Sequence, residues 1–164
     1  MLGFCLAVAA ATDAAKTKIT FLSAEYKYDG NYAEYFGLAP GHTQLLVGNL
    51  TKPLQNLFLD IRTANEETQK VIYKFENFPL CRFLDNHLIA QLYARWYDAI
   101  VGNTTPIKCP VRPGIYHFQN RLTPSLLPNF HPAGSYRIAI QVKSTNGQGP
   151  FIVALAWHYR VIKK

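Results

Sequence analysis

The sequence predicts a mostly β protein, an antiparallel β-sandwich of immunoglobulin-like architecture with one amphipathic helix. Three observations lead there. Apolar and polar residues alternate at a period of two through seven or eight short segments. Once, between Cys81 and Ile100, the period lengthens to about four residues. Gly, Pro and Asn punctuate the segments at the short intervals of hairpin-built sheets.

Taken in order, Lys18 to Tyr28 places Ile19 and Phe21 on one face, then Tyr26 and Tyr28 on the other after a slip near Ser23-Ala24. Tyr32 to Phe36 and Thr43 to Leu50 follow, separated by the turn-forming run Gly37 to Gly41. In Asn56 to Arg62, Leu57, Leu59 and Ile61 alternate with Phe58, Asp60 and Arg62. In Gln69 to Glu76, Val71, Tyr73 and Phe75 alternate with their neighbours. Leu84, Leu88, Leu92 and Trp96 then mark one stripe of a helix of about five turns, stopped near Gly102. Ile115 to Asn120 is short and aromatic. Tyr136 to Lys143 and Phe151 to Val161 form a hairpin across Asn146-Gly147 and Gly149-Pro150.

A chain of 164 residues suits one domain with a sizeable core. With 49% hydrophobic and 16% charged residues it has the composition of an ordered protein. Residues 1–11, MLGFCLAVAAA, read as the back half of a secretory signal peptide, cleaved after Ala11 or as far on as residue 15. The mature domain is then 12–164, secreted and extracellular. Asn49-Leu50-Thr51 and Asn103-Thr104-Thr105 are acceptor sequons that agree with that compartment, with Asn103 and Asn49 the expected glycosylation sites.

Removing the leader takes Cys5 with it and leaves Cys81 and Cys109, two thiols expected to pair in an oxidising compartment. The formal charge of +7 is spread over singly placed Lys and Arg, which describes a solvated surface better than a polyanion site. No later stretch has the roughly 18 uninterrupted apolar residues of a spanning helix, so no stable membrane insertion is expected.

Catalytic signatures are poor. The chain carries no G-x-S-x-G elbow and no Gly-rich phosphate loop. Its five histidines lack ligand spacing, so neither a metal nor another cofactor is expected, and the reading is of a non-enzyme. Tyr26-Lys27-Tyr28 and Tyr73-Lys74-Phe75 interleave basic and aromatic residues, but strand alternation explains both and no nucleic acid is expected as partner. What remains is apolar volume, which closes into a solid core or splays into a cavity; periodicity alone does not separate the two.

The stretch from Cys81 onward narrows the choice. Cys81-Arg82-Phe83-Leu84, Ile107-Lys108-Cys109-Pro110-Val111, Gly114-Ile115-Tyr116, Asn120, Leu127-Pro128 and Pro132-Ala133-Gly134-Ser135-Tyr136-Arg137-Ile138 occur in the order of a known signature. Together they resemble the insect family called domain of unknown function 1091, itself similar to the ML lipid-recognition domain and the ganglioside activator protein. The resemblance implies an ML-like β-cup: two antiparallel sheets held apart, with a helix-bearing segment tethered by the cysteine bridge. It also implies a monomeric, non-enzymatic carrier or presenter of a lipid or other hydrophobic small molecule, with a membrane receptor as a further partner. Some insect relatives are linked to contact chemosensation of cuticular lipids. Ganglioside activators have more disulfides than this chain can form, so their loops and ligand are not carried over.

Within such a cup the expected ligand-lining residues are Leu92 and Trp96 on the helix and Phe118, Tyr136, Ile138, Ile140, Leu155 and Trp157 on strands. The competing expectation is an extracellular protein-interaction module with a filled core, acting as a co-receptor or signalling ligand.

Overall fold

The computed structural model of the chain describes residues 17–86, 107–122, 127 and 131–164, and there the alternating segments are strands. They are β1 (Thr17–Tyr28), β2 (Ala33–Leu38), β3 (Leu45–Leu50), β4 (Leu57–Asn65), β5 (Val71–Pro79), β6 (Gly114–Gln119), β7 (Gly134–Ser144) and β8 (Val153–Lys163), with a helix α1 (Leu80–Asp85) between β5 and β6. The strands make two sheets, ordered β1-β8-β7-β4-β5 and β2-β3-β6. Every pairing is antiparallel. The predicted β-sandwich is the observed architecture.

Residues directly opposite one another in an antiparallel pair share a face, so the register aligns side chains in rows across the larger sheet. One row runs Ala24, Trp157, Ile138, Thr63, Tyr73, and the next runs Tyr26, Leu155, Ile140, Ile61, Phe75. Trp157, Ile138 and Leu155 from these rows pack with Tyr136, Tyr159 and Val161 into the main core. Phe36 and Leu46 close it from the smaller sheet, with Phe118 against its flank. Phe36 meets Phe118 edge-to-face within the smaller sheet and Tyr26 of the larger one across the interface, both at 6.3 Å between centroids.

In β1 the structure departs from the simple alternation. A register shift between Phe21 and Ser23 reverses the parity, so Ile19, Phe21, Ala24, Tyr26 and Tyr28 all lie opposite the apolar face of β8. Tyr26 and Tyr28 therefore share the face of Ile19 and Phe21 instead of opposing it. Leu22, the inserted residue of this bulge, is left half-exposed.

A second departure concerns the helix, which closes at Asn86 (φ −107°, ψ 103°). The predicted continuous helix from Cys81 does not run through that residue. Asn competes for backbone hydrogen bonds and is a poor helix former, and Pro79 at the other end offers no side-chain cap. The remainder of that prediction, with Leu92, Trp96 and Asn103, lies outside the described residues, as does the leader.

Two glycines of the motif stand at strand starts. Gly114 and Gly134 open β6 and β7 at φ 150° and 148°, a region that side-chain-bearing residues rarely adopt. A Cβ on Gly134 would also lie 3.1 Å from Asn65 Nδ2 and 3.3 Å from the Tyr136 ring.

Cys81 and Cys109 are bridged, with Cα atoms 5.7 Å apart. The bridge sits inside a second apolar cluster of Leu54, Leu57, Val111 and Ile152, joined by Leu80 and Ile107. Leu54 and Val111 exchange both backbone hydrogen bonds at 2.9 Å, and the Leu57 N–H points at Cys81 Sγ, 3.1 Å away. Both ends of the segment between the cysteines are thus held beside the start of β4. Replacing both cysteines with alanine should lower the unfolding free energy by about 3 kcal/mol, the scale for a loop of this length. Urea denaturation followed by circular dichroism measures it, and a loss well under about 1 kcal/mol would show that the second cluster holds the segment without the bridge.

Candidate functional site

The interior faces of a two-sheet sandwich are where an all-β chain collects apolar surface, and a ligand site there needs a few convergent polar groups within it. Trp157 is 0% exposed at the centre of the large sheet, and its indole N–H needs an acceptor once water is excluded. Asn120, just beyond β6, supplies it: Trp157 Nε1 donates to Asn120 Oδ1 at 2.7 Å. The Asn120 side chain donates in turn to the Thr43 carbonyl at 3.3 Å, and its backbone N–H to that of Gln44 at 2.8 Å. The two sheets are joined by this bond at the core's midpoint.

A second polar group lies along the same interior. His131 is buried, with Nδ1 3.2 Å from the Pro132 carbonyl and Nε2 2.8 Å from Tyr159 Oη. A carbonyl only accepts, so Nδ1 carries the proton, and the neutral ring receives the Tyr159 hydroxyl hydrogen at Nε2. The ring meets Tyr136 edge-on at 4.2 Å between centroids, and Tyr159 stacks on Tyr136 at 5.8 Å. Burial holds the imidazole below its ordinary pKa. Burial pushes the Tyr159 phenol far above the usual range, reinforced by the phenols of Tyr73 and Tyr136 nearby. Tyr73 is raised by the same desolvation, partly offset by the Thr63 hydroxyl beside it.

Thr63 and Tyr73 sit opposite one another on β4 and β5, one step along the row from Ile138. Thr63 is 0% exposed. Its Oγ1 and the Tyr73 hydroxyl are both buried; Thr63 Oγ1 lies near the phenols of Tyr73 and Tyr159, yet among the described residues neither hydroxyl reaches a partner at hydrogen-bond geometry. Tyr73 then leads outward: its ring lies 5.9 Å from that of Phe75, which is 58% exposed at the sheet edge. The adjoining row, Leu155, Ile140, Ile61 and Phe75, is apolar throughout and runs from the core to solvent at β5.

On the opposite face of the large sheet the chemistry is ionic. His158 carries a carboxylate at each ring nitrogen, Glu66 at Nδ1 and Glu25 at Nε2 (3.1 Å), and Arg137 reaches Glu25 at 3.3 Å. Arg137 and then His158 hold the Glu25 carboxyl below its ordinary value. This network staples β1, β7, β8 and the β4–β5 turn together. Among the described residues no three His, Cys, Asp or Glu side chains converge as a metal site. At the β1–β2 end an open groove of about 380 Å³ is lined by Tyr28, Asp29, Pro150 and Phe151 among others.

Of the expected lining residues, Tyr136, Ile138, Leu155 and Trp157 are brought together in the main core, with Phe118 and Ile140 half-buried against it. Leu92 and Trp96 lie outside the described residues. Asn49 is in the middle strand of the small sheet, where its amide donates to Glu34 at 3.0 Å. Thr63, Tyr73, His131 and Tyr159 escaped the sequence reading as site residues. The signal for Thr63 was its position two beyond Ile61, where a hydroxyl continues an apolar period. For His131 no periodicity exists, because it belongs to no strand.

A family model described as "Protein of unknown function (DUF1091)" matches residues 56–138, just over half of the 164 residues. That span contains both cysteines, Thr63, Tyr73, Asn120 and His131. No curated protein matches the chain.

Replacing Asn120 with alanine should cost about 1–3 kcal/mol in urea unfolding, because the Trp157 N–H is left buried without an acceptor. A red-shifted tryptophan emission should accompany it; an unchanged midpoint would mean the bond does not hold the core. His131 contributes a pH dependence whose sign follows from its lowered pKa. Below about pH 6.5 the unfolded chain takes up a proton that the folded chain resists, so stability is lost as pH falls through that value. The urea midpoint should therefore drop between about pH 7 and pH 5.5, and His131→Gln should flatten the drop.

Proposed function

The chain belongs to the DUF1091 family, for which no function is established, and on that footing we propose that it is a secreted, non-enzymatic protein that binds and carries or presents a lipid or other long apolar molecule. The observation that carries the reading is the apolar row Leu155, Ile140, Ile61 and Phe75, which runs from the core beside Trp157 to an exposed ring. A solvent-facing aromatic that continues a buried row is a place where a hydrocarbon chain can begin to leave water. Moving about ten methylenes onto that face would provide roughly 8 kcal/mol before the costs of association.

The motif's likeness to lipid-recognition ML proteins and ganglioside activators supports the same reading, as does the disulfide, which fits an oxidising compartment. The segment between Cys81 and Cys109 then serves as a tethered wall of the site. Contact chemosensation, with a membrane receptor as the partner of a monomeric carrier, is the setting the resemblance suggests, and Asn103 and Asn49 are the candidate glycosylation sites.

A second reading has its own support. Trp157, Ile138 and Tyr159 are fully buried, while Phe21, Leu22 and Ile162 are 44%, 48% and 41% exposed along β1 and β8. A filled core with an apolar edge strand suits a co-receptor or signalling ligand that docks protein.

Secreted protein purified without detergent, extracted into organic solvent and examined by mass spectrometry should yield a stoichiometric lipid, and an environment-sensitive apolar dye should compete with it. Protein that carries no lipid and leaves the dye dark would reject the carrier and favour the docking module.

A further inference from the structure

Buried hydroxyls are nearly always paired, because leaving one desolvated and unpaired costs free energy that an apolar residue of the same shape avoids. Thr63 breaks that rule at a place where valine would fit the row. It is 0% exposed between Ile138 and Tyr73, and among the described residues its Oγ1 meets no partner at hydrogen-bond geometry, although the Tyr73 and Tyr159 phenols lie near it. The Tyr73 hydroxyl beside it is buried and equally unpaired. Two unpaired hydroxyls together, on an apolar face that reaches solvent at Phe75, form a matched donor–acceptor pair.

Resting on the apolar-ligand reading above, we propose that Thr63 and Tyr73 form the polar subsite for an uncharged oxygen, a hydroxyl or carbonyl, carried by an otherwise apolar ligand. Each hydroxyl can donate or accept, so the pair can satisfy an alcohol, an ester or a ketone. The surroundings argue against an anionic head. The nearest polar groups are the phenols of Tyr73 and Tyr159 and the neutral ring of His131, whose proton is committed to Pro132. Burial raises the phenols of Tyr73 and Tyr159 and lowers the imidazole, so these three groups are held in their uncharged forms. A carboxylate entering this end of the core would lose its hydration, while Lys163, the cation whose charge reaches His131, stays exposed to solvent. Tyr73 links the subsite to the edge through its contact with Phe75, 5.9 Å between ring centroids.

The test compares dodecanol, methyl laurate, lauric acid and dodecane, each delivered from cyclodextrin to the full-length secreted protein, by displacement of an apolar dye at neutral pH. Dodecanol and methyl laurate should bind about tenfold tighter than dodecane or laurate, the scale of one or two added hydrogen bonds. Thr63→Val and Tyr73→Phe should each bring the dodecanol-to-dodecane affinity ratio down toward one. Because its hydroxyl is unpaired, Thr63→Val should also melt at the same temperature as the parent or higher. A Thr63→Val variant that melts lower would show that the hydroxyl is already satisfied within the fold and would overturn the subsite. Equal binding of dodecanol and dodecane by the parent, or a preference that both variants retain, would overturn it while leaving the apolar-ligand reading in place. Failure of all four probes to displace the dye would remove both.

Discussion

The hydrogen bond from the Trp157 indole to Asn120 is the constraint on which the rest of the core depends. A fully buried tryptophan contributes roughly 5 kcal/mol through the area it removes from water, but only if its one N–H finds an acceptor. Asn120 provides that acceptor from the end of the smaller sheet and is itself held by the backbone of Thr43 and Gln44. The bond therefore sets where the two sheets lie over each other. Phe36, Leu46 and Phe118 then pack against a surface whose position is already determined. Removing the acceptor exposes the sandwich to sliding as well as to an unpaired donor.

Around that point the molecule divides its labour. One end is sealed by the second cluster, where the Cys81–Cys109 bridge, the Leu54–Val111 pair and Ile152 keep the two ends of the intercysteine segment beside β4. The outer face of the large sheet is held by Glu25, His158, Glu66 and Arg137 in one network, which leaves no need for apolar cover there. At the third place, the β4–β5 side of the inner face, the satisfaction of polar groups is incomplete. Elsewhere in the described core Trp157, His131 and Tyr159 are all paired, so the bare Thr63 and Tyr73 hydroxyls stand out as local exceptions to a rule the fold otherwise keeps. Local exceptions of that kind are where a sequence has been shaped by something other than folding.

Much of this was legible beforehand. Period-two alternation in Tyr136 to Lys143 and in Phe151 to Val161 identified the two central strands and their inward faces, because a half-buried strand must alternate. Cysteine arithmetic identified the bridge, because two thiols in an oxidising compartment pair when they can meet. The places where alternation misled are equally physical. The bulge at Leu22 reverses face without leaving a mark in the composition, since its sequence Phe21-Leu22-Ser23 alternates as well in one parity as in the other. Asn86 closes α1 although Leu84 and Leu88 continue the apolar stripe in the sequence, because a stripe reports burial and not backbone continuity.

By itself, then, the sequence determined the strands, the inward-facing residues, the disulfide and the family signature, all of which rest on local periodicity or on residue chemistry that acts at fixed spacing. Only the tertiary structure decided which polar groups meet. Trp157 and Asn120 are 37 positions apart, His131 and Tyr159 are 28 apart, and Thr63 faces Tyr73 across a bulged register. Pairing of buried donors and acceptors depends on distances of about 3 Å between residues remote in the chain, and no period in the sequence encodes it.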